Sequence, residues 1–101
     1  MATLLLTLSK KPFEVMVTGE KPVEIRNSSD WILSRLVGKK YDDVKFINGY
    51  GADKPYFIAK YYGYSAAKEK ENLKFSNGLI VPVDVGDVRI FLGEIIERGN
   101  L

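Results

Sequence analysis

The segment GEKPVEIR, residues 19–26, is the stretch around which the rest of the chain is organised. Its apolar side chains, Val23 and Ile25, alternate with charged ones, which is the spacing of a strand with two different faces. We expect the apolar pair to anchor this strand in a core. The charged pair, Glu24 and Arg26, should then face an opening on the other side.

A third charged side chain, Lys21, lies just before this strand. Its place before Pro22 favours an extended backbone, but alternation alone does not put Lys21 on the charged face. The turn after Gly19 would have to bring it inward. If it does, Lys21 joins Glu24 and Arg26 as a cation–anion–cation set at one cleft.

Length and composition favour one small domain over residues 1–101. The chain has 15 basic and 13 acidic residues, and its net charge of +2 is too balanced to favour nonspecific binding of nucleic acid. It has no cysteine and no histidine. This excludes disulfides, thiolate nucleophiles and a Ser-His-Asp triad, and it disfavours a zinc site. We expect neither a cofactor nor a metal.

The first eleven residues, MATLLLTLSKK, are apolar before they become basic. A secretory signal peptide has the reverse order and a longer apolar run. No stretch approaches the ~20 apolar residues that a membrane-spanning helix needs. The sequence therefore predicts a cytoplasmic protein without a membrane partner.

Alternation and turn chemistry predict a chain dominated by strands. We expect five or six strands and two short helices, arranged as a small, mostly antiparallel barrel with the helices at its rim. Within the polar residues 65–77, the core of residues 66–71 is expected to form a helical turn or a mobile loop, and the chain should fray from Arg98 onward. The predicted strands are residues 3–8, 23–27, 44–47, 56–64, 79–83 and 88–96.

The two predicted helices are short and bounded by glycine. The first begins at Pro12, which suits the first position of a helix, and it is capped by Gly19. The second ends at Gly38. Its apolar face is predicted to consist of Trp31, Leu33, Leu36 and Val37.

The pattern Gly19-x-Lys21-x-x-Glu24-x-Arg26 resembles the G-x-K-x-x-E-x-R signature of the ASCH domain family, a relative of the PUA domain. The surroundings are similar too: a leucine-rich first strand, a short helix before the motif and a hydrophobic strand ending in GEII, residues 93–96. This resemblance implies an α+β, mostly β, PUA-like barrel with a cleft beside the motif strand. It also implies a role with RNA or modified nucleosides.

An enzymatic role is a second implication of the resemblance. Some small members of the family resemble amidohydrolases that remove the acyl group from N4-acetylcytidine, using the motif lysine, a threonine three residues later and a downstream glutamate. Lys21 matches the lysine, but Glu24 stands at the threonine position, so the hydroxyl nucleophile is lost. In such an enzyme Lys21 would act as a base, and Glu24 would orient a group or activate a water. Glu94 or Glu71 would be the downstream carboxylate.

The leading prediction is a domain that binds RNA or a nucleotide. Its ligand site would contain Lys21, Glu24 and Arg26, with Ser9 and Lys10 at the rim. The guanidinium of Arg26 can fork onto a phosphate or a base edge, and Lys21 supplies a point charge. The alternatives are the amidohydrolase and a protein-interaction module, of prokaryotic or viral origin, whose cleft is vestigial.

Four aromatic residues leave two uses open: Trp31, Tyr50, Tyr61 and Tyr62. Each can stack on a base, but packing in the core is the commoner role of a large ring. Tyr61 and Tyr62 are adjacent in a predicted strand and point to opposite faces, so at most one of them can line a given cleft. The loop around Tyr50 contains two glycines but lacks the strand–loop–helix context of a phosphate-binding loop.

Overall fold

The computed structural model describes residues 2–101, and within them the chain forms seven strands and two helices. Five strands form one curled sheet, a half-barrel in the order β1-β3-β4-β7-β2, while β5 and β6 form a separate hairpin. Strands β1 and β3 are parallel, and all other neighbours are antiparallel. The predicted mostly β, α+β fold of a small barrel is confirmed. In order the elements are β1 Thr3–Leu8, α1 Lys10–Met16, β2 Val23–Arg26, α2 Asp30–Leu36, β3 Asp43–Asn48, β4 Tyr56–Ala66, β5 Glu71–Lys74, β6 Ile80–Val83 and β7 Val88–Gly99.

The core lies on the concave face of the five-stranded sheet, beneath α1. Alternate residues of β1, namely Leu4, Leu6 and Leu8, point into it, as in a strand with one buried face. Three phenylalanines fill its centre: the ring of Phe57 lies 5.0 Å from that of Phe46 and 5.5 Å from that of Phe13 on α1. Each such ring stabilises the fold by ~1.5–3 kcal/mol through removal of apolar surface from water.

The two edges of the sheet, β1 and β2, approach each other because the sheet is curled. No strand ladder joins them. Instead, the Nη2 atom of Arg26 on β2 donates a 2.7 Å hydrogen bond to the carbonyl oxygen of Thr7 on β1. We call this gap between the two edge strands the seam. Edge strands carry unpaired peptide groups, and here the side chain of Arg26 binds one of them, the carbonyl of Thr7.

The polar segment at residues 65–77 differs from its prediction at the ends of the expected turn or loop. Strand β4 continues to Ala66 and residues 71–74 form β5, whereas residues 67–70 between them belong to no helix or strand. The hairpin of β5 and β6 is held from outside: the Glu20 carboxylate accepts from the backbone N–H of Ser76 at 2.7 Å and from its hydroxyl. Pro82 lies in β6, which pairs on one side only, and such strands tolerate proline.

Two element boundaries are also corrected. Helix α1 begins at Lys10, two residues before Pro12, which is accommodated in the first turn. Strand β7 runs to Gly99 rather than fraying at Arg98, because the Nε atom of Arg98 donates to the carbonyl of Val17 at 3.0 Å. Neither α1 nor α2, the helices of residues 2–101, is long and apolar enough to cross a bilayer.

The apolar face of α2 is only partly as predicted. Ser29 caps the helix by accepting from the N–H of Ile32, and Ile32 and Leu36 point into the core. Trp31 and Val37 do not: both are more than half exposed. Residues four apart share a helix face, so the burial of Ile32 and Leu36 turns Trp31 outward.

Candidate functional site

Two charged side chains of the motif segment, those of Lys21 and Glu24, are buried and do not face open solvent. Lys21 is 2% exposed and Glu24 is 5% exposed. Val23 and Ile25 are only half-buried and do not belong to the hydrophobic core. The prediction that the apolar pair anchors the strand is therefore wrong. The strand is anchored by its charges, and this is tolerable only because each charge has a partner.

Lys21 is held by three acceptors. Its ammonium nitrogen Nζ donates to the carbonyl of Val23 at 2.7 Å, to Oε1 of Glu24 at 3.2 Å and to the sulfur of Met16 at 3.5 Å. A lysine ammonium has three protons to donate, so all of them are used inside the protein. Glycine at position 19, with a φ of 89°, makes the turn that brings Lys21 inward.

Glu24 lies at the centre of the set. Its Oε2 atom accepts from Nε of Arg26 at 2.8 Å, and its Oε1 atom accepts from Lys21 and from the backbone N–H of Ile25 at 3.1 Å. One carboxylate therefore binds both cations. The three charges form a buried network with a net charge of +1.

Arg26 is the member of the network that reaches solvent. Its Nε and Nη2 atoms are held by Glu24 and by the carbonyl of Thr7. Its Nη1 atom makes no hydrogen bond within residues 2–101. The guanidinium is thus fixed in orientation while part of its donor capacity remains free.

Burial sets the acid–base behaviour of Lys21. Removal from water lowers the pKa of its ammonium group, and the neighbouring Glu24 carboxylate offsets part of this effect. Arg26 lowers the pKa of Lys21 further by like-charge repulsion. Lys21 is therefore easier to deprotonate than an ordinary surface lysine.

The three motif side chains converge on one hollow, which we call the motif pocket. It has a volume of about 260 Å³ and lies at the seam, closed on one side by the start of α1 and on another by β6. Ser9 lines it as predicted, whereas Lys10 does not and pairs with Glu14 at 3.9 Å. Its lining consists of Thr7, Leu8, Ser9, Pro12, Lys21, Glu24, Ile25, Arg26 and Val81.

A second hollow, which we call the aromatic cleft, lies on the other side of Arg26. Its volume is about 700 Å³, and it shares Thr7 and Arg26 with the motif pocket. Trp31 and Tyr50 line it and are 51% and 83% exposed. Its lining consists of Leu5, Thr7, Arg26, Trp31, Arg35, Ile47, Gly49, Tyr50, Gly51 and Ala52.

The other aromatic candidates and the two downstream carboxylates lie elsewhere. Tyr61 packs edge-on against Tyr41 at 5.4 Å, outside both hollows. Glu94 pairs with Lys60 at 3.0 Å on the exposed surface, and Glu71 lies on β5; neither lines the motif pocket. Among the described residues there is no cluster of acidic side chains that could hold a metal ion.

Several lining residues were not singled out from sequence, among them Thr7, Arg35 and Val81. Thr7 acts through its carbonyl oxygen, which no side-chain pattern reveals. Val81 comes from the hairpin, which was not predicted. Arg35 had a signal: it lies four residues after Trp31 and shares its helix face.

Comparisons of the chain with protein-family models, with curated proteins and with solved structures found no match. Function must therefore be inferred from the residues and their geometry.

Proposed function

We propose that this chain is a PUA-like domain of the ASCH type that binds RNA or a nucleotide in the motif pocket, through Arg26. The observation that carries the proposal is the convergence of Lys21, Glu24 and Arg26 on a single hollow, with one guanidinium nitrogen still free. A pocket with a net positive network and a fixed guanidinium suits an anionic group such as a phosphate.

Each motif side chain has a separate role in this proposal. Arg26 contacts the ligand. Glu24 holds the Nε side of its guanidinium and the carbonyl of Thr7 holds the Nη2 side, so that little rotamer freedom is lost on binding. Lys21 balances the carboxylate of Glu24 from the buried side and keeps the network cationic.

The size of the motif pocket limits what enters it. Its volume of about 260 Å³ lies below the roughly 300–1,000 Å³ typical of sites that enclose a drug-sized ligand. A phosphate or part of a nucleotide would fit inside, with the remainder passing over the rim. Ser9 offers a hydroxyl there that can donate or accept.

A second candidate, hydrolysis of an acylated nucleoside, is favoured by the lowered pKa of Lys21. The contacts of Lys21 oppose it. A general base needs a free lone pair, but the ammonium group donates to three acceptors within the protein. Binding is therefore the better supported function. Incubation with N4-acetylcytidine tests the alternative: release of cytidine above a Lys21→Met control would establish it.

The binding proposal is tested with Arg26→Gln, using anisotropy of a fluorescein-labelled hexauridylate RNA. The loss of hydrogen bonds to a charged group should weaken binding about 10- to 100-fold. Arg98→Gln is the matched control, because Arg98 also donates to a backbone carbonyl but lies outside the motif pocket. Equal binding by wild type and by both variants would overturn the proposal.

A further inference from the structure

We infer that the aromatic cleft is a second binding site, for a base of a single-stranded nucleic acid whose phosphate lies at Arg26. This rests on the proposed function and extends it: the ligand becomes a strand of two or more nucleotides instead of a single one. The cleft and the motif pocket meet at Arg26 and Thr7. A phosphate at that guanidinium would have one hollow on each side.

The exposed ring of Trp31 is the first observation. Its position on α2 is fixed by the burial of Ile32 and Leu36 on the opposite face. The guanidinium carbon of Arg35 lies 5.0 Å from the ring centroid, so a cation–π contact orients the indole. A fixed, half-exposed tryptophan in a cleft provides a flat stacking surface at low entropic cost.

The floor and the opposite wall of the cleft are also apolar. Leu5 and Ile47 belong to the outer face of the parallel pair of β1 and β3, in which Ile47 lies opposite Thr7. The loop of residues 49–52 forms the wall and presents the largely exposed ring of Tyr50. Two aromatic rings thus border a hollow of about 700 Å³, within the roughly 300–1,000 Å³ range of ligand sites.

Charge identifies the occupant. Arg26 and Arg35 are both in the lining, and no lining residue is acidic. Cations beside aromatic stacking surfaces are the combination that binds single-stranded nucleic acid. An acidic peptide would satisfy the arginines but would leave both rings without a stacking partner, and an apolar peptide would leave the arginines unpaired.

The experiment uses Trp31 itself, because it is the one tryptophan of the chain. Titration with hexauridylate should quench its fluorescence, since a stacked base would contact the indole directly. Tyr50→Ala should weaken hexauridylate binding about 5- to 100-fold, the loss expected for one stacked base. Tyr62→Ala is the matched control, because Tyr62 is 67% exposed but lies outside the cleft. Circular dichroism confirms that each variant is folded.

The outcomes separate this inference from the proposed function. If Arg26→Gln weakens hexauridylate binding but Tyr50→Ala does not, the motif pocket stands and the inference is overturned. If Tyr50→Ala alone weakens it, no phosphate is held at Arg26, and both the proposed function and the inference are overturned. Unchanged Trp31 fluorescence at saturation overturns the inference, and absence of binding overturns both. Equal quenching by hexaglutamate would identify an acidic-peptide surface instead.

Discussion

The motif pocket and the aromatic cleft share Arg26 but differ in the character of the side chains that line them. The pocket is lined by buried charges that satisfy one another, whereas the cleft is lined by exposed rings and by Arg35. Lys21 and Glu24 are the most noticeable residues of the sequence motif, yet their hydrogen bonds end inside the protein. A sequence signature can therefore mark the support of a site, while the groups free to meet a ligand lie beside it.

The largest expected difference between the two hollows is in stability. Glu24→Ala leaves Lys21 and Arg26 without their shared carboxylate, and removal of one partner of a buried ion pair costs ~3–5 kcal/mol. Trp31→Ala, at an exposed position, should change the free energy of unfolding by only about 0.5 kcal/mol. Urea denaturation of both variants measures the contrast, and equal losses would contradict it.

A smaller loss is expected for Lys21→Met. This change leaves Glu24 paired with Arg26, and it places an apolar side chain in a buried position. We expect a loss of ~1–3 kcal/mol, the cost of leaving the Val23 carbonyl and one carboxylate contact unmade. Urea denaturation beside Glu24→Ala checks the order, and a larger loss for Lys21→Met would show that Lys21, not Glu24, is the centre of the network.

The same variant isolates the pH dependence of Lys21. The unfolded chain keeps this proton up to the ordinary pKa of 10.5, but burial makes the folded protein release it at a lower pH. Between these two pKa values the unfolded state binds more protons than the folded state, so the free energy of unfolding rises with pH. This gain in stability disappears when the pH is lowered through the pKa of Lys21 in the folded protein. The wild type should therefore gain stability relative to Lys21→Met as the pH approaches 10.5. A difference independent of pH would contradict the pKa shift.

The smallest effect concerns the hairpin wall of the motif pocket. The contacts of Glu20 with Ser76 dock the hairpin, and these hydrogen bonds lower the pKa of the Glu20 carboxylate. Glu20→Gln should increase amide hydrogen exchange in residues 71–83, whereas the control Glu14→Gln should not. Acidification should also increase this exchange, because Glu20 becomes protonated as the pH falls through its lowered pKa. Exchange that is unchanged by both treatments would contradict this docking.

Local pattern predicted the elements of the sheet but not which side of β2 faces inward. Alternation divides a strand into two faces and says nothing about which is buried. The contacts of the charged face include a long-range one, the hydrogen bond from Arg26 to the carbonyl of Thr7, 19 residues away, which local pattern does not reveal. The hairpin was missed because residues 65–77 are mostly polar and the contact that holds it, between Glu20 and Ser76, joins positions 56 residues apart.

The sequence predicted the residues of the motif pocket better than those of the aromatic cleft. The sequence left the convergence of Lys21 on the charges of β2 conditional on the turn at Gly19, and in the structure that turn brings Lys21 inward. The role of Trp31 stayed open, because an aromatic residue on a short helix can face either way. Counting Ile32 and Leu36 as the buried pair would have placed Trp31 and Arg35 together on the outer face.

The seam has a mechanical consequence. The guanidinium that fastens β2 to the carbonyl of Thr7 is the same group that we propose meets the ligand. A ligand that rotates Arg26 away from Thr7 would break the hydrogen bond between the edge strands β1 and β2. A ligand that binds Nη1 and leaves Nη2 in place would hold Arg26 in this contact. Ligand binding and the rigidity of the sheet are thus coupled through the side chain of Arg26, so the mobility of the edge strands would depend on the ligand bound there.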